Sequence, residues 1–238
     1  MAEKAHCFFC FEVLSSSYSK KPTLSLSQVE EAVHNLQLHK SSLTNGNSVN
    51  GTNGTTTNGT SVNGHSATNG VSRPERPLFV TWNLLKHGDK QLRGCIGTFS
   101  NFELEGGLKT YALTAAFDDT RFNPIDKKEL PDLECAVSVL TDFEPAADVF
   151  DWTLGVHGLR ISFTYHSRRL SATYLPDVPV EQGWNQEKTL VSLMRKAGWG
   201  GKTADWQKVD VQVTRYKGTK ASATWKEYKE LKEFLEKV

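Results

Sequence analysis

The chain has 238 residues, 38% of them hydrophobic, which is enough for one large domain or two small ones around a real core. With 28 basic and 27 acidic residues its net charge is +1, so bulk charge steers it toward neither nucleic acid nor an anionic membrane, and any such partner needs a local patch. The four cysteines, at 7, 10, 95 and 135, do not read as a disulfide framework, and no apolar run reaches the ~18 residues that would span a membrane.

The N-terminal run Cys7-Phe-Phe-Cys-Phe11 is too short for a signal peptide and soon breaks into serines. A reduced intracellular protein, cytoplasmic, nuclear or both, is the reading that follows, and the sequons at Asn50, Asn53 and Asn58 then carry no glycan. Cys7, Cys10, Phe11 and Leu14 have the spacing of one helical face, so a short buried helix is expected over 7–14. No second Cys or His pair completes a zinc site around Cys7 and Cys10, and the expectation is no metal.

Residues 1–18 thus form the opening helical unit, and 19–76 read as a disordered, low-complexity insertion. Within it, 41–72 carry no Asp, Glu, Lys or Arg and repeat Asn-Gly amid Ser and Thr, a composition that cannot offset its ordering entropy by burial. Only Ser25 to Lys40, with apolar residues near helical spacing behind a Ser cap, has the pattern of a transient helix. Folded sequence resumes at 77 and runs to 238. Leu78 to Leu84 and Gln91 to Phe99 read as a hairpin around His87-Gly88-Asp89, and Leu104 to Ala115 follows as a helix ending at Asp118-Asp119. A short helical turn is expected between Asn123-Pro124 and Leu130-Pro131, then a buried strand from Cys135 to Leu140.

Beyond a helix or turn at Asp148 to Trp152, a strand passes through Ile161 and Phe163 and pairs with Arg168 to Leu175 across Tyr165-His-Ser167. Pro176 and Pro179 predict a loop. Gln186 to Ala197 is an amphipathic helix with Leu190, Leu193 and Met194 inward, stopped by Gly198. Val209, Val211 and Val213 alternate as an edge or last strand, and Trp225, Tyr228, Leu231 and Leu235 mark a closing helix. Strands and helices do not alternate regularly, so the fold class is α+β, an antiparallel or mixed sheet flanked by helices.

The stretch Leu92-Arg93-Gly94-Cys95-Ile96-Gly97-Thr98-Phe99 concentrates the chemistry. Gly94 and Gly97 bracket Cys95 where the chain bends or where a ligand or second backbone comes close, and Arg93 and Cys95 share a face if the segment is extended. A cationic neighbour favours the thiolate. The plainer alternative is a bulge with Cys95 as a small buried hydrophobe.

Leu92-Arg-Gly-Cys-Ile-Gly97 resembles the signature of the AMMECR family, named for the Alport syndrome, intellectual disability, midface hypoplasia and elliptocytosis chromosomal region. Pro77-Leu-Phe-Val-Thr-Trp82, Asp119-Thr-Arg-Phe122, Asp151-Trp152, Gly155-Val-His-Gly158, Ala172-Thr-Tyr-Leu-Pro176, Glu181-Gln-Gly-Trp184, Arg195-Lys-Ala-Gly198 and Thr214-Arg-Tyr216 agree with it, so the likeness covers roughly 6–18 and 77–228. It implies a stand-alone member with a larger and a smaller subdomain and a cleft between them. It names no reaction and no cofactor. Prokaryotic relatives are associated with a Memo-like metalloprotein and a radical S-adenosylmethionine enzyme, neither of which is part of this chain.

Three polar clusters match the family motifs: Arg93/Cys95, Asp118/Asp119/Arg121 and His157 between Gly155 and Gly158. If Cys95 and His157 converge they make a nucleophile with an adjacent base, oriented by Asp118 or Asp119, while Arg93, Gly94, Gly97, Asp119 and Arg121 bind a small anionic or polar ligand. The alternative is that the arginines pair with Asp118 and Asp119 to brace the subdomain junction. No nucleophile-elbow, zinc-protease, dinucleotide or phosphate-loop motif competes. Enzyme, small-ligand binder and regulatory module for a partner protein all stay open, whereas near-zero charge and the lack of an arginine-rich run argue against nucleic acid.

Overall fold

The computed structural model describes residues 1–19, 22–45, 75–86 and 88–237. The first helix, α1 (Lys4–Ser19), is longer than its apolar spacing predicts, and every residue from Ala5 to Leu14 is buried. A helix that is apolar all round loses the 3.6-residue signature because it is packed on every side. Its one buried acid, Glu12, accepts hydrogen bonds from the Tyr228 hydroxyl (2.5 Å) and the Lys232 ammonium (3.1 Å).

Within the expected insertion the structure differs from a uniformly disordered segment. Helix α2 (Leu26–Asn45) buries Leu26, Val29 and Ala32 in the same core as α1, so burial and not propensity alone holds it. The rest of that insertion, 46–74, lies outside the described residues.

Strands β1 (Arg76–Lys86) and β2 (Asp89–Phe102) form the expected hairpin, of which His87 is not described. Helix α3 (Leu104–Phe117) follows, with Glu103 capping its first turn, and a 3-10 helix over Lys127–Asp132 leads into β3 (Leu133–Pro145). The β4 (Gly158–Tyr165) and β5 (Arg168–Tyr174) hairpin turns through His166 and Ser167. The predicted loop at Pro176 is instead a single-turn helix, α4 (Asp177–Glu181). The two prolines fall at its N-cap and third position, where no intrahelical N–H is needed. Helix α5 (Gln186–Lys196) buries Leu190, Leu193 and Met194 as predicted, and a second 3-10 helix spans Thr203–Lys208. The last strand is β6 (Gln212–Thr224), longer and later than the valine alternation indicates, and α6 (Trp225–Leu235) closes the chain behind a Thr224/Glu227 capping box.

The described strands make one antiparallel sheet in the order β2-β1-β3-β6-β4-β5. β6 is therefore the last strand in the chain and lies inside the sheet, not at its edge. The fold is α+β, and its larger and smaller halves are two hydrophobic cores on this single sheet. The larger packs Leu78, Val80, Trp82 and Val137 against α1 and α3; the smaller packs Leu159, Ile161 and Phe163 against Leu190, Leu193 and Trp206. Register puts both cores on one face of the sheet, because side chains alternate and paired residues share a face. Between the halves, the β3–β6 register shifts between Thr141 and Glu144, with Asp142 at φ 55°. A bulge of this kind bends and twists a sheet, and here it separates the two cores. No described helix is long and apolar enough to cross a membrane.

Candidate functional site

The face opposite the helices holds Phe79, Thr81, Cys95, Gly97 and Phe99 from the larger half and Tyr216, Thr214, Arg160 and Ser162 from the smaller. Cys95 is half-buried on it, directly across from Thr81, whose hydroxyl donates to the Cys95 sulfur at 3.1 Å. The other three cysteines are buried and free. Cys7 donates to the Ala221 carbonyl at 3.3 Å; burial pushes the Cys135 thiol well above the ordinary thiol range, and hydrogen bonds with Cys10 and Cys7 push it further. Among the described residues no group of three or more His, Cys, Asp or Glu side chains is arranged to hold a metal.

Asp119, at the end of α3 and only 5% exposed, holds the Cys95 backbone in place by accepting from its N–H at 2.9 Å. Arg121 grips both oxygens of the same carboxylate, at 2.9 and 2.7 Å, and donates to the Cys95 carbonyl at 3.2 Å. The Arg121 guanidinium, and then the Cys95 and Arg121 backbone N–H groups, hold the Asp119 carboxyl well below the usual carboxylate range despite its burial. Arg121 in turn is held protonated chiefly by Asp119, and it lies close enough to Cys95 for charge on the sulfur to add to that hold. With its side chain 54% exposed, Arg121 keeps part of its surface for solvent or a ligand.

Arg93 serves differently. Its side chain is 14% exposed and forms a two-pronged pair with Glu129 (2.8 and 3.0 Å) while donating to the carbonyls of Asn123 and Pro124. Glu129 also caps the 3-10 helix by accepting from the Asp126 N–H, so Arg93 ties β2 to the loop that precedes β3. Arg93 therefore pairs with Glu129 and Arg121 with Asp119, both within the larger half, and Asp118 is the α3 C-cap. The glycines make room for protein. A Cβ on Gly94 would stand 2.0 Å from the Ala115 carbonyl oxygen of α3, and one on Gly97 would stand 2.3 Å from the Leu78 carbonyl oxygen and 2.4 Å from the Phe79 ring.

His157 joins none of these groups. Its N–H donates to the Thr153 carbonyl and its Nδ1 accepts from the Thr153 N–H, both at 3.0 Å, closing the turn before β4. Its charged neighbour is Asp151, which pairs with Arg215 at 2.5 Å. Arg215 pairs in register with Leu159 and so projects to the helix-covered side, and β1, β3 and β6 lie between β2 and β4. Among the described residues no hydrogen bond or ion pair joins His157 to Cys95, Asp119 or Arg121. Sequence spacing cannot supply strand order, which is what separates them.

The resemblance implies a cleft between the halves, and none of Arg93, Cys95, Asp119, Arg121 and His157 lines the one that the structure has there. Where the two halves' open faces meet, a cleft of about 780 Å³ is lined by Phe99, Phe143, Arg160, Ser162, Arg169 and Thr214, among others. Phe143 reaches it because of the bulge in β3, and it stacks on Tyr216 with ring centroids 4.8 Å apart. For the residues that line it, the signal in the sequence is the polar alternation Arg160, Ser162, Thr164, which reads equally well as a solvated face.

The profile of the AMMECR1 family matches residues 7–221. The chain belongs to the AMMECR1 family. It is 48% identical over 155 residues to the uncharacterised protein At2g38710 of Arabidopsis thaliana, covering 64% of this chain and 72% of that one. It is 48% identical over 152 residues to the uncharacterised protein C688.03c of Schizosaccharomyces pombe, with 64% and 77% covered. Among solved structures, the uncharacterised protein PH0010 from Pyrococcus horikoshii superposes with a TM-score of 0.53 at 29% identity, over 63% of this chain and 74% of that one. In this AMMECR1-family chain the signature strand is β2, and its motif cysteine is the thiol that faces away from the helices.

Proposed function

We propose that this AMMECR1-family protein binds a small polar ligand on the open face of its sheet, with Cys95 the group available there for any covalent step. The observation that carries the reading is an inter-core cleft of about 780 Å³, a volume typical of small-molecule sites, on the same uncovered face as a half-buried thiol that does not itself line it. Asp119 positions the Cys95 backbone and Arg121 supplies positive charge beside it. Arg93 acts as a brace and His157 as a turn residue in this reading. Free cysteines fit a reducing intracellular setting, cytoplasmic or nuclear.

Amide chemical-shift mapping against a library of polar metabolites tests the proposal. Perturbations should gather at Thr81, Cys95, Phe99, Ser162 and Thr214; perturbations confined to the helices would contradict it. A second reading, a regulatory module that docks a partner protein, is favoured by β2 itself, an edge strand of 14 residues with Leu92 and Phe102 exposed. Loss of partner capture on Leu92→Lys, with metabolite binding absent, would put that reading first.

A further inference from the structure

The cleft between the cores carries a charge feature that the near-zero net charge conceals. On β4 and β5, Ser162 pairs with Ser171, and an arginine precedes each serine by two residues, Arg160 on one strand and Arg169 on the other. Because the strands are antiparallel, Arg160, across from Thr173, and Arg169, across from Thr164, flank the serine pair on the open face at a four-residue offset of ~14 Å along the strands, and all four residues line the cleft. Among the described residues neither Arg160 nor Arg169 has a hydrogen-bond, ion-pair or ring partner, and no Asp or Glu lines the cleft. Of the other described arginines, four are engaged, Arg93 with Glu129, Arg121 with Asp119, Arg195 with the Trp199 ring and carbonyl, and Arg215 with Glu144 and Asp151, while Arg76 and Arg168 are as free as this pair but do not line the cleft. With no carboxylate lining the cleft, an anion there can take a charge-assisted hydrogen bond from each long side chain.

The opposite wall is aromatic. Phe99 is fixed edge-on by Phe79 (5.0 Å) and Tyr216 (6.0 Å), and Phe143 is stacked on Tyr216, so two rings line the cleft while their own neighbours hold them in place. Such rings favour a flat unsaturated group at stacking distance. Between wall and arginines lie neutral hydrogen-bonding groups, the Thr214 and Ser162 hydroxyls and the Asn101 amide; Ser171 spends its proton on the Ile161 carbonyl at 2.7 Å and keeps acceptor capacity.

We propose that this cleft binds a mononucleotide-type organic phosphate, with the phosphate between Arg160 and Arg169 and the base against Phe99 and Phe143. The proposal rests on the small-ligand reading of the open face and names its ligand class. Planar guanidinium forks match phosphate oxygens two at a time, which an ammonium does not. A longer single strand fits less well, since tracking several phosphates takes a stripe of cations, and the lysine next along this face, Lys220, is already paired with Asp177 at 3.1 Å.

Isothermal titration of the full chain with AMP, adenosine, inorganic phosphate and a short oligothymidylate tests it. Saturable AMP binding is expected, weakened roughly 10-fold or more by either Arg160→Gln or Arg169→Gln, in line with loss of a charge-assisted hydrogen bond, and abolished in the double variant. Adenosine and phosphate alone should each bind at least roughly 10-fold more weakly than AMP, since each lacks half of the recognised chemistry. The variants should unfold at the wild-type temperature, because neither arginine is paired. AMP binding unchanged in the double variant overturns the assignment, as does phosphate binding as tight as that of AMP. Oligothymidylate binding tighter than AMP replaces it with a nucleic-acid surface. Absent AMP binding while uncharged metabolites still shift open-face amides overturns the ligand class and leaves the small-ligand reading standing; if nothing shifts those amides, both fall.

Discussion

The two faces of the one sheet are built on opposite terms. On the covered face, Trp82 is completely buried, its indole N–H donates to the Ala112 carbonyl at 2.9 Å, and Phe11 lies edge-on to it at 5.1 Å. Three of the four cysteines lie in that helix-packed core, where Cys135 is held as a neutral thiol by its burial. On the open face polar side chains accompany the rings, Cys95 is half-exposed, and Arg160 and Arg169 have no hydrogen-bond or ion-pair partner among the described residues. A sheet that spends one face entirely on burial can leave polar and reactive groups on the other without endangering the fold. The contrast teaches that the AMMECR1 signature strand serves both demands: Gly94 lets α3 approach on one side while its neighbour Cys95 is presented on the other.

The sharpest way to break this division is to cut into each face in turn. Trp82→Ala should destabilise the protein by about 4 kcal/mol in urea unfolding, through lost burial, a residual cavity and loss of the indole bond to the Ala112 carbonyl. A loss below about 1 kcal/mol would mean that the covered face is not the stabilising one. Asp119→Asn should cost about 2 kcal/mol at pH 7, because the two-pronged Arg121 pair and the charge-assisted bond to the Cys95 N–H are weakened. Since folding depresses the Asp119 pKa, its contribution is fully present above the unfolded value and is lost as pH falls below about 4. The gap between wild type and variant should therefore narrow in acid; a gap independent of pH would count against the carboxylate as the cause. Arg160→Gln and Arg169→Gln should each change stability by no more than about 0.5 kcal/mol, since no bond is broken. A larger loss would show that these arginines belong to the fold.

Legibility followed the same division. Helix α5 declared itself through Leu190, Leu193 and Met194, and the β1–β2 hairpin through strand formers on both sides of Gly88, because one-sided burial imprints a period on the sequence. The apolar spacing marks only 7–14 of helix α1, because burial on all sides erases that period. The valine alternation covers only the start of β6, whose Lys217, Gly218 and Lys220 sit in a central strand that needs little apolar character where it faces solvent. At the site, the motif supplies Cys95, Asp119 and Arg121 but not how they meet: a backbone N–H to carboxylate bond leaves no trace in residue identity. His157 was grouped with them on its glycine setting, which the structure attributes to a turn and to the Tyr216 ring lying over Gly158. Arg160 and Arg169 were invisible as a pair, since their meeting depends on the β4–β5 register.

The account turns on Cys95 being the thiol that the outside world meets. Timed iodoacetamide labelling of the native protein at neutral pH, with each of the four cysteines resolved by peptide mass spectrometry, measures this directly. The structure predicts that Cys95 is modified in the folded protein while Cys7, Cys10 and Cys135 react only after unfolding. Modification of Cys95 no faster than of the three core thiols, or of any core thiol first, would contradict the division between a structural face and a chemical one.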